Sequence, residues 1–196
     1  MGSSGLFFNI LGSIECQMKI HEQIPILDDI LENWRESLGR DFVAYKNHCY
    51  RVLNFCLAFG EDRIETMNKV AIAVAFHDLG IWVNNTYDYL EPSKLLAREY
   101  LAKTNQATWS REIETMIEQH HKLRKYNTNP EWLVEPFRKA DWIDVSRGRL
   151  KFGLPSAFVR DTMSKFSNAG FHKRLVALAK QRIKTHPFSP LPMLRL

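Results

Sequence analysis

The chain is predicted to be all-helical, and three observations carry that expectation. Apolar residues recur at 3.6-residue spacing through nearly everything after residue 20. No stretch keeps up the two-residue alternation with β-branched enrichment that a strand needs. Residues that cap or break helices punctuate the periodic segments.

Taken in order, Asp41 is the expected N-cap of a helix running to about Phe59 and ended by Gly60. Asp62 caps the next, which runs through the apolar stretch 70–76 to His77. Because that helix is apolar nearly all round from Val70 to Phe76, it belongs in the middle of a bundle, with its polar end carried into the core. Pro92 suits the first turn of a helix over "SKLLAREYLAKT", Thr108 or Ser110 starts one through "EIETMIEQHHKL", and Pro130 begins one reaching about Val145. "SRGRLKFGLP" reads as a loop, followed by helices over "SAFVRDTMSKF" and "FHKRLVALAKQRI" around Gly170. Residues 1–20 are set aside as a disordered or tag-like segment, 21–186 are one domain, and 187–196 are a proline-rich tail.

Composition narrows the function classes. At 196 residues, 45% hydrophobic and 25% charged, the chain has the makeup of one ordinary globule. Its apolar runs fall far short of the roughly 20 residues a membrane span needs, so no membrane association is expected. The net charge of +5 favours small anions, while aromatic RNA-binding signatures and cysteine-rich zinc modules are missing, so nucleic acid is not an expected partner. Cys16, Cys49 and Cys56 are odd in number, and the latter two sit seven apart on one helix, where no disulfide closes; a reducing, cytoplasmic location is expected. A homo-oligomer is compatible with the chain.

The chemistry concentrates in a few polar residues on apolar faces. His48 shares a helix face with Ala44, Tyr45, Val52 and Phe55, and Asp141 shares one with Val134, Phe137 and Val145. His77 and Asp78 end the most apolar helix. Desolvating an ionised carboxylate costs several kcal/mol unless it is paired or bound to a metal. One divalent cation held by His48, His77, Asp78 and Asp141 satisfies all of them, and this mixed nitrogen and oxygen set suits manganese, iron, nickel, cobalt or zinc. Asp144, three residues beyond Asp141, is either a rival ligand, a hydrogen-bond partner behind the ligands, or solvated.

"EQHHKLRKY" adds His120, which shares a face with Ile113, Met116 and Ile117, and His121, nearer the edge. Lys122, Arg124 and Lys125 follow, and Lys46 and Arg51 flank His48; these cations are candidate contacts for an approaching phosphate. Trp82, Tyr87 and Tyr89 either line a pocket or close the core. Asp88 and Glu91 are further acidic candidates, while His21, His172 and His186 fall outside the pattern.

In this order, His48, then "HD" at 77–78 and Asp141, the residues resemble the H…HD…D signature of the HD-domain superfamily of metal-dependent hydrolases, over roughly residues 40–150. The resemblance implies a single helical HD domain with those four residues as metal ligands. It also implies hydrolysis of a phosphate ester of a small metabolite, a nucleotide being the expected class. The nucleophile would be water made acidic by the metal, with Asp78 orienting it or taking its proton. His120 or His121 would then be the acid or a substrate contact. No further histidine lies between Asp78 and His120, which favours one metal over two. Gly80, Ile81 and Trp82 stand where guanosine tetraphosphate hydrolases and some nucleotidases carry an acidic residue, and the Gly-Tyr-Pro element of cyclic-dinucleotide phosphodiesterases is missing. Other readings are non-phosphatase chemistry on the same ligands, nitrile hydration or iron-dependent oxygenation, and a sensor that binds a nucleotide without turnover.

Overall fold

The computed structural model describes residues 18–60 and 63–185, and over these the chain is a helical bundle without a strand. Two short helices, α1 (Pro25–Asn33) and α2 (Arg35–Leu38), lead through a 3-10 turn at Gly39–Asp41 into α3 (Phe42–Leu57). Then come α4 (Ile64–Phe76), the short α5 (Gly80–Val83), α6 (Leu90–Lys103), α7 (Ser110–Gln119), α8 (Val134–Val145), α9 (Ser156–Lys165) and α10 (Phe171–Thr185). No described helix is long and apolar enough to cross a membrane. The 1–17 segment, Asp62 with its expected cap, and the tail from 186 onward lie outside the described residues. Met18 and Ile20, within the segment set aside as tag-like, pack against the core.

The all-apolar stretch explains the layout. Val70 through Phe76 are buried on every side, so α4 runs through the interior and the other helices are laid around it. α3 packs against α4 and, most extensively, against α8, while α7 closes on both α4 and α8. Cys49 and Cys56 are buried free thiols on α3.

Some helix boundaries differ from the sequence expectation. Asp41 does precede α3, but its carboxylate makes no capping bond; Oδ2 accepts from Trp82 Nε1 at 3.0 Å and pairs with Arg174 at 2.9 Å. α6 starts at Leu90, with Pro92 still in its first turn. α8 begins at Val134 rather than at Pro130. There the preceding backbone is held by carboxylates instead of by helical bonds: Leu133 N–H donates to Glu112 Oε1 at 2.8 Å and Tyr126 N–H to Glu135 Oε2 at 3.0 Å. α7 stops at Gln119, so His120 and His121 occupy the turn after it rather than the helix itself.

Gly80 has a steric task. A Cβ there would lie 2.7 Å from the Tyr89 carbonyl oxygen and 3.0 Å from Pro92 Cβ and Ser93 Oγ, the last of which accepts the Gly80 N–H at 3.0 Å. The start of α6 can therefore close onto the turn that carries His77 and Asp78. Gly80→Ala is expected to destabilise the protein by about 1–3 kcal/mol, the usual cost of overpacking, read as a lowered denaturant midpoint at unchanged slope.

Candidate metal centre

Four helices supply the cluster. His48 comes from the middle of α3 and Asp141 from the middle of α8, where the 3.6-residue period turns both inward. His77 is the C-terminal cap of α4, and the chain turns so tightly after it that Asp78 faces the same centre; Leu79 N–H returns to the Phe76 carbonyl at 3.0 Å. His120 caps α7 in the same way. Two helix C-termini thus direct their partial negative charge at one place, a field that favours a cation.

The atoms that meet there are Nε2 of three imidazoles and oxygens of two carboxylates. His48 Nε2 lies 2.9 Å from His77 Nε2. Asp78 Oδ2 is 3.8 Å from the former and 3.5 Å from the latter, and Asp141 Oδ1 is 3.8 and 3.9 Å from the same two nitrogens. Asp78 Oδ1 stands 3.5 Å from His120 Nε2. All five side chains are buried.

The tautomers follow from the partners on the far side of each ring. His77 Nδ1 lies 2.8 Å from the Val74 carbonyl and His120 Nδ1 lies 2.6 Å from the Ile117 carbonyl. A carbonyl only accepts, so both Nδ1 atoms carry the proton. His48 Nδ1 lies 2.6 Å from Asp144 Oδ2. Asp144 is buried, which alone would raise its pKa, but His48 and Arg51 hold it below the ordinary range, so it too is an acceptor. Each ring thus turns Nδ1 outward to a protein acceptor and Nε2 inward to the centre. Burial pushes His77 down to about 4 against the pull of Asp78, so its lone pair stays free of a proton at neutral pH.

The carboxylates complete the pattern. Burial penalises Asp78 and Asp141, yet the surrounding histidines hold both below their ordinary values, Asp78 well below. Two carboxylates held in the ionised form thus meet three imidazoles at the centre. Asp78 Oδ1, His120 Nε2 and both Asp141 oxygens are buried without a hydrogen-bond partner. Orphaned acceptors at this density are what a divalent cation satisfies. His48, His77 and Asp78 form one triad able to hold a metal ion, and Asp78, His120 and His121 form a second that shares the carboxylate.

Behind the cluster, Arg51 and Asp144 form a buried pair. Arg51 is buried and grips Asp144 through Nε and, at 2.9 Å, through Nη2, while its Nη1 donates to the Phe166 and Ser167 carbonyls at 2.9 and 3.1 Å. The guanidinium is thus committed to the protein and not to a phosphate. Asp144 takes the part of hydrogen-bond partner to His48, and Asp141 the position facing the imidazoles. Spacing could have shown this, since Arg51 follows His48 by three residues and Asp144 follows Asp141 by three. Phe171 stacks on the His48 ring at 4.0 Å and fixes its plane.

Of the other candidates, Lys46 pairs with Asp28 on α1 at 2.8 Å rather than joining the cluster. Lys122 is half-buried, and Arg124 and Lys125 are exposed, on the turn that follows His121. Asp88 pairs with Arg182 and Glu91 with Lys94. Tyr89 is buried with its hydroxyl 2.8 Å from His121 Nε2. His172, given no role from sequence, donates from Nε2 to the Asp144 carbonyl at 3.1 Å.

Fold and site together define a class: an all-helical protein with a buried His and Asp cluster that could hold a metal ion. No family model, no curated protein and no solved structure matches the chain.

Proposed function

We propose that the chain is a metal-dependent phosphohydrolase of the HD-domain kind, acting on a phosphate ester of a small metabolite, with a nucleotide as the expected class. The observation that carries this reading is the pair of imidazole Nε2 atoms 2.9 Å apart, beside two buried carboxylates with unpartnered oxygens. Such a pair repels unless a cation or a proton lies between, and the two negative charges around it match a divalent ion. His48, His77, Asp78 and Asp141 would hold it. When bound, the ion supplies a Lewis acid for a phosphoryl oxygen and makes water nucleophilic at neutral pH.

The remaining steps belong to the chain's own side chains. Asp78, with Oδ1 turned away from the two facing imidazoles, orients the attacking water or takes its proton. His120 Nε2 has no protein partner and is the imidazole left to face the substrate. Lys122, Arg124 and Lys125 are the cations that would meet an incoming phosphate.

The test is elemental analysis of the purified protein, then a panel of nucleotides and an aryl phosphate with added manganese or cobalt. Phosphate release that depends on the cation is the expected result. Oxygen uptake in an iron-loaded sample would replace phosphoester chemistry with oxygenation, and a nucleotide-dependent rise in melting temperature without product would make the chain a sensor.

A further inference from the structure

His121 sets one ring nitrogen against a carboxylate of the cluster and the other against a phenol outside it. Its Nδ1 lies 3.2 Å from Asp141 Oδ2, short of the alignment of a full hydrogen bond, and its Nε2 lies 2.8 Å from the Tyr89 hydroxyl. The Nδ1 edge of the ring thus faces a carboxylate and the Nε2 edge is hydrogen-bonded to a phenol, so the ring is held between Asp141 and Tyr89.

We propose that Tyr89 is a positioning residue: through its hydrogen bond with His121 Nε2 it keeps the Nδ1 edge of His121 turned onto Asp141 and so holds Asp141 Oδ1 toward His48 and His77. The arrangement mirrors the other side of the cluster, where Asp144 fixes His48 from behind. It takes His121 out of the second triad as a ligand, because neither nitrogen is spare. The missing side chain at Gly80 lets the Tyr89 backbone approach the His77–Asp78 turn, so Tyr89 is delivered by the motif it serves. The proposal rests on the reading of Asp141 as a cation ligand.

The test is a double-mutant cycle on cation binding, joined to nitrogen NMR of the histidine rings. Tyr89→Phe keeps the ring and removes only the hydroxyl, and its fold is checked by circular dichroism. Manganese or cobalt affinity, measured by calorimetry, is expected to weaken about tenfold or more in Tyr89→Phe, the lower range for lost outer partners of a metal ligand. In a His121→Gln background the same change should cost less than about twofold, because Tyr89 acts through His121. Equal losses in both backgrounds, or none in the first, overturn the proposal.

In the metal-free protein, the His121 Nε2 resonance should move when the Tyr89 hydroxyl is removed. A resonance that stays put overturns the hydrogen bond, and a His121 nitrogen coordinated in a zinc-loaded sample overturns the role assigned to it. A wild-type chain that takes up no cation while the resonance still responds brings down the cation reading and the positioning role, but leaves the hydrogen bond standing. Cation uptake with an unresponsive resonance does the reverse.

Discussion

Asp78→Asn is expected to abolish cation binding, and cation-dependent turnover with it, while leaving the fold in place. Asp78 is the one carboxylate that faces all three lone pairs, with Oδ2 toward His48 and His77 and Oδ1 toward His120. The amide keeps the shape but removes one of the two negative charges. Losing an outer partner of a ligand costs about 10–100-fold in affinity, so neutralising the ligand itself should cost more than about a hundredfold. Melting curves read this directly. At a manganese concentration 100 times the wild-type dissociation constant, the cation stabilises the wild-type by about 2.7 kcal/mol and the variant by less than about 0.5 kcal/mol. A variant that keeps the wild-type thermal shift would put the cation somewhere other than this centre.

How much of this could be read from sequence differs between fold and site. The helical class and the central place of α4 follow from periodicity, since a run apolar on all faces has nowhere to go but the interior. The convergence of His48, His77, Asp78 and Asp141 was also legible, because each is a polar residue whose neighbours at helical spacing are apolar. The start of α8 was not legible. Pro130 is a sound N1 residue locally, and only Glu112 and Glu135, brought in by the bundle, hold the segment before Val134 in another conformation. At Gly80 the sequence shows only that an acidic residue is missing, whereas its task is to leave room for a backbone nine residues on. Arg51 had the composition of a surface cation, and Lys46, two residues before His48, had the same standing. They differ by helix phase: Arg51 falls on the inward face three residues after His48 and finds Asp144, while Lys46 points to α1 and finds Asp28.

The Arg51–Asp144 pair supports the second large expectation, because it joins stability to the metal centre in a way that can be taken apart. Both groups are buried, and the guanidinium ties α3 to α8 and to the backbone that follows α9. Arg51→Met leaves Asp144 with the His48 ring and no countercharge; Asp144→Leu leaves a buried guanidinium with only two carbonyls. Each single change is expected to cost about 3–5 kcal/mol in chemical denaturation, because it strands a buried charge. The double variant should be less damaged than the sum of the two, since an apolar pair of similar volume carries no such penalty. Cation affinity should behave differently. Once Asp144 is gone, nothing holds the His48 proton on Nδ1, and the loss of about 10–100-fold persists in the double variant even where its stability recovers. If affinity and stability return together, Asp144 serves the packing alone; if stability returns and affinity does not, the carboxylate is there to aim His48 Nε2 at the cation.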